Sequence, residues 1–178
     1  MQDDLNEADI NKMPDGDGEG KGSAPGYDGN TADDGAKAAP AFHDILLQGA
    51  DQLLGESDQG DSTPMLIEEA LDRAGVKLRD QSNGREIKPN LGDMGLFLRQ
   101  AMQAGACVDM PMPGDIVVFR YRSSRLHWSA IVETVGPTEM GVFISHPAPA
   151  GEESEYERKV INRRGINDGW RVVGFIRL

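Results

Sequence analysis

Cysteine, histidine and aromatic residues are scarce in this chain. One cysteine, Cys107, excludes an internal disulfide framework. Aromatics are 6% of the residues, so a core must be built mostly from aliphatic side chains. No apolar run approaches the ~20 residues that a membrane-spanning helix needs. The opening MQDDLNEADINKMPDGDGEG has neither a basic start nor an apolar stretch, so no Sec signal is expected. Any role outside the cytoplasm would then need non-classical export or delivery in a virion. There is no basic excess either. Residues 1–60 carry 14 acids against 3 lysines, and residues 61–178 carry 16 acids against 15 bases. The net charge of −12 therefore resides almost wholly in the first third, and nothing suggests a nucleic-acid partner.

Residues 1–40 are rich in Gly, Asp, Ala and Pro and read as a disordered or docking tail. DGDGEG, residues 15–20, has the look of a calcium loop. Its twelfth position is Gly26 instead of the bidentate glutamate, which argues against one. The remainder, residues 41–178, is expected to form one domain. Residues 41–55 carry apolar positions at helical spacing, with His43 on the polar side. DSTPMLIEEALDRAGV, residues 61–76, is a strong helix signal: Ser62 or Thr63 to cap, Pro64 in the first turn, Gly75 to stop. A second such helix is expected over 91–104.

After PMPGD the pattern changes. Residues 115–121, 127–135, 141–147, 156–162 and 170–178 read as five strands separated by Gly, Pro, Ser and Asn clusters. The expected fold class is α+β, with N-terminal helices packed on a five-stranded antiparallel sheet. Glu152, Glu153, Glu155 and Glu157 read as a solvated loop. Asp115 reads as a turn cap, and Arg163, Arg164 and Asp168 as candidate groove residues.

The chemistry concentrates on two histidines. His127 opens the strand HWSAIVETV, and His146 lies in FISHPA. An imidazole beside a nucleophile at a helix N-terminus is the working arrangement for acyl transfer. The helix dipole favours an anionic nucleophile, free N–H groups hold an oxyanion, and the imidazole moves the proton. Cys107 is one candidate nucleophile. Cys107, His127 and His146 also offer three zinc-type ligands, but their spacing matches no zinc motif, so no metal or other cofactor is expected.

The order Pro113-Gly114-Asp115, then His127, then His146 resembles the NlpC/P60 and CHAP group of papain-like cell-wall hydrolases, over about residues 58–178. The resemblance implies a papain-like fold and cleavage of amide bonds in peptidoglycan peptide stems. It makes His127 the general base and His146 its orienting partner. The family's cysteine nucleophile, usually in Asp-Cys-Ser/Thr, corresponds here to Asp61-Ser62-Thr63. Ser62 thus stands at the nucleophile position, with Thr63 as the alternative. Asp61 and Trp128 are candidate substrate contacts, although Trp128 reads first as core. The setting implied is a phage lysin or an antibacterial effector, with an immunity protein or a secretion or virion partner bound through the acidic tail. Serine for cysteine leaves three accounts open: a deliberate exchange, a natural serine enzyme, or a non-catalytic module that binds cell wall or protein. A papain-like protease or deamidase acting on host protein is a further alternative.

Overall fold

The computed structural model describes residues 40–58, 60–122, 125–145, 154–166 and 169–178. The acidic segment before Pro40, the DGDGEG stretch, His146, Glu152, Glu153 and Asp168 lie outside them. The described residues form three helices and nine strands. In chain order these are α1 (Phe42–Gln52), β1 (Ser57–Asp58), α2 (Ser62–Ala74), β2 (Leu78–Arg79), β3 (Glu86–Ile87), α3 (Met94–Gln103), β4 (Cys107–Val108), β5 (Ile116–Tyr121), β6 (His127–Val135), β7 (Glu139–Ser145), β8 (Ser154–Asn162) and β9 (Trp170–Ile176).

Each helix buries one stripe at helical spacing. In α1 it is Phe42, Ile45, Leu46 and Ala50; in α2 Thr63, Leu66, Ile67 and Ala70; in α3 Met94, Phe97, Leu98 and Ala101. That spacing covers about 100° of helix surface, enough to seat one face on a sheet. The α2 helix ends as its sequence dictates. Gly75 takes a left-handed conformation, φ 63°, and the N–H of Val76 reaches back to the carbonyl of Leu71 at 3.1 Å.

The fold class is α+β, but the sheet has seven strands, not five. Its order is β1-β8-β7-β6-β5-β9-β4, every neighbour antiparallel. The two additional strands, β1 and β4, have two residues each, too short to show any alternation. Nor do the helices all precede the strands, since β1 separates α1 from α2 and the β2-β3 ribbon separates α2 from α3. The order β5 to β8 is a simple meander. The last strand, β9, returns to pair with β5. Glu155 and Glu157 lie in β8 as exposed strand residues, not in a loop.

The central strands are buried on both faces. Ile116, Val118, Ile131 and Phe143 meet the helices, while Val117, Phe119, Ala130, Val132 and Val142 form a second core on the opposite face. The register shifts at Val118/Phe119 between β5 and β9 and at Val132/Thr134 between β6 and β7, where bulges interrupt the ladder.

The PGD turn is locked to the C-terminal end of the chain. Asp115 is fully buried. It accepts the N–H of Met112 at 2.7 Å and two bonds from Arg177, Nε to Oδ1 at 2.9 Å and Nη2 to Oδ2 at 2.8 Å. Its role as a turn cap stands, with the guanidinium added. His43 is partly exposed: it packs on Gly114, and its buried Nε2 lies 3.8 Å from Asp115. Truncating Arg177 to alanine strands a buried carboxylate. The expected loss is about 3 kcal/mol, at the low end for breaking such a pair because Arg177 is 32% exposed. Urea denaturation of R177A beside the native chain checks this, and a loss under about 0.5 kcal/mol would remove the lock.

Candidate functional site

The amino ends of α2 and α3 converge on the first residues of β6. Between them lies a cleft of about 620 Å³, lined by Asp58, Asp61, Thr63, Asp93, His127 and Trp128 among others. Strand alternation explains its make-up. Ile131 faces the helices, so His127 and Ser129 point the same way, and on β7 so does Ser145, two residues beyond Phe143.

His127 is held by α3. Its ring lies against Gly95, in the first turn of that helix. A Cβ at position 95 would come under 3.0 Å from Cε1, Nδ1 and Nε2 together, so only glycine admits the imidazole there. The start of α3 is capped by Asp93, whose carboxylate accepts the N–H of Leu96 at 2.9 Å.

The start of α2 is organised differently from its sequence expectation. Ser62 and Thr63 are the first two helical residues, not the cap, and Asp61 makes no side-chain cap bond. The capping carboxylate is Asp58, on β1. Its Oδ1 accepts the N–H groups of Gly60 at 2.9 Å, Asp61 at 3.1 Å and Ser62 at 3.2 Å. Burial pushes the Asp58 pKa up, but the hydroxyls of Ser145 and Ser62 and the N–H groups of Gly60 and Ser62 outweigh it. The net result lies below the ordinary 3.8. The N–H of Ser62 is the first of the helix, and a carboxylate already occupies it.

Beneath Asp58 lies a buried polar cluster. Thr63, Ser129, Ser145 and Tyr156 are all buried. The Ser145 hydroxyl faces Asp58 closely enough to lower its pKa without completing a hydrogen bond, and the Tyr156 hydroxyl stands likewise towards Thr63. Burial and the nearby Asp58 charge push the Tyr156 phenol well above its ordinary range.

The expected site residues are therefore partly gathered. Asp61, Thr63, His127 and Trp128 line the cleft. Trp128 lines the cleft and also packs on the second core and against Gly60. Ser62 adjoins the cleft through Asp58, but it lines a separate depression between α1 and α2 with Leu53 and Leu66. Cys107 is not brought in. It pairs with Ile176 on β9, its Sγ lies 3.8 Å from the carbonyl of Leu98, and burial pushes its thiol up, the reverse of what a nucleophile needs. Arg163 lies beside Pro137 and Met110, away from the cleft lining.

Asp58, Gly95 and Ser145 were not anticipated. Two of them had signals. Asp58-Gln59-Gly60 just ahead of a helix has the form of an Asx turn, and a glycine inside an amphipathic helix marks a close approach. Ser145 had none, because its value depends on strand register.

Folding lowers the Asp58 pKa, so its stabilising contribution is complete above the ordinary 3.8 and is lost as pH falls through the lower folded-state value. Asp58→Asn is expected to cost about 1–3 kcal/mol at pH 7. That difference should narrow as pH falls below about 4. Thermal melts of both chains from pH 7 to pH 2.5 measure it, and a gap constant across the range would contradict the assignment. No protein-family model, curated protein or solved structure matches the chain.

Proposed function

We propose that this chain is an amide hydrolase of papain-like, NlpC/P60 type that acts on the peptide stems of peptidoglycan. One observation carries the reading: His127 stands in a cleft where the amino ends of two helices converge. In this reading His127 takes the proton from the attacking hydroxyl and returns it to the leaving amine. Ser62 is the attacking group. Its hydroxyl, which helps to lower the Asp58 pKa, must turn from Asp58 towards the cleft. A serine hydroxyl is a poor nucleophile without a tuned base, so turnover by the native chain is expected to be slow.

A second reading is recognition of cell-wall peptide without turnover. The Asp58 carboxylate favours it. Asp58 occupies the N–H of Ser62, the first of α2, and it places negative charge beside that helix end.

Muropeptides incubated with the native chain, Ser62→Cys and His127→Ala, with products read by mass spectrometry, separate the two. Hydrolysis predicts at least a tenfold gain for Ser62→Cys. It predicts a loss of about 10²-fold or more for His127→Ala. Binding without cleavage by a correctly folded native chain and Ser62→Cys establishes the second reading. Neither binding nor cleavage removes both.

A further inference from the structure

The cleft is acidic. Asp58, Asp61, Glu68 and Asp93 line it, against Arg125 and His127 among the described lining residues. The floor is the notable part. Asp58 is 6% exposed, and its Oδ1 already receives three N–H donors. Ser145, 2% exposed and facing the same space, holds a hydroxyl with no completed hydrogen bond among the described residues. Buried polar atoms are nearly always satisfied, so an open hydroxyl beside a buried carboxylate points to something that completes the set. Two large apolar side chains stand exposed in the lining beside the charged ones. Met65 is 65% exposed and Leu126 63%, and both line the cleft.

We propose that the cleft binds an aliphatic chain ending in a primary ammonium, as on a lysine-type side chain, with the ammonium at Asp58 and Ser145 and the methylenes between Met65 and Leu126. This rests on the cleft being the substrate site, and it names the substrate feature that the site selects. An ammonium fits better than the alternatives. Its three donors radiate from one compact centre and can be met by one carboxylate oxygen, a hydroxyl and water. A guanidinium wants two coplanar carboxylate oxygens, and here one of the two is taken. A metal ion has no support, because no group of three or more His, Cys, Asp or Glu ligands is gathered among the described residues. The long apolar stem of such a side chain loses water against Met65 and Leu126 while its charged end reaches the floor.

Titration of the full chain with Nα-acetyl-lysine methylamide and with its norleucine counterpart tests this, read by backbone amide shifts. The two probes share a chain and differ in the amine. The lysine probe should bind at least about tenfold tighter, the usual scale of a charge-assisted bond. Its shifts should centre on residues 58–63 and Ser145. Asp58→Asn should bring lysine affinity down to the norleucine level. Should that variant fail to fold, Ser145→Ala should weaken lysine binding several-fold and leave norleucine unchanged. Equal affinity of the two probes, shifts confined to carboxylates outside the cleft, or lysine selectivity intact in the folded variants would each overturn the assignment. Selective lysine binding by a chain that cleaves no stem peptide would end the hydrolase reading and leave this one standing. Stem cleavage indifferent to acetylation of the side-chain amine would do the opposite.

Discussion

One buried carboxylate organises the cleft end of the molecule. Asp58, at the end of the short edge strand β1, gathers the N–H groups of Gly60 and Asp61 ahead of α2 and that of Ser62, its first residue. Burial opposes its charge, and the hydroxyls of Ser145 and Ser62 with the N–H groups of Gly60 and Ser62 outweigh that. The position of α2, the floor of the cleft and the arrangement of Ser62, Thr63 and Ser145 around it all depend on that anchor. The same anchor limits the chemistry. A helix end that already holds a carboxylate is a weaker place to develop a second negative charge, and a better place to receive a positive one.

The imidazole side of the cleft is set by packing alone. His127 reaches α3 because β6 alternates its side chains across the sheet and because Gly95 leaves a flat place on the helix. The distant lock between Asp115 and Arg177 holds the start of β5 to the end of β9, and β5 pairs directly with β6. The register that aims His127 is thus supported from a point well away from the cleft. The site combines a packed imidazole, a buried carboxylate and two exposed apolar side chains, Met65 and Leu126.

Much of the fold was legible in the sequence, because periodicity is a property of single elements. The three amphipathic stripes mark α1, α2 and α3, and strand-like runs between clusters of Gly, Pro, Ser and Asn mark the five long strands. The Pro-Gly-Asp turn was also readable as a pattern. The sequence pattern sets His127 against the start of α2, whereas its ring rests on the first turn of α3. The failures share one cause. The strands β1 and β4 are too short to carry a period, and they exist only because a longer neighbour pairs with them. Ser62 and Thr63 look like caps locally, yet a carboxylate from another strand outcompetes them. Charged acceptors bind N–H groups more strongly than hydroxyls do. Cys107 looked available as a nucleophile. The β4–β9 pairing and the carbonyl of Leu98 place it in the scaffold instead.

The account depends most on the imidazole of His127 resting against the first turn of α3. A nuclear Overhauser spectrum of the protein labelled at histidine and glycine reads that contact directly. Strong cross-peaks between the His127 ring protons and the Gly95 α-protons are the predicted result. A His127 ring with no cross-peak to any residue of α3 would contradict the account.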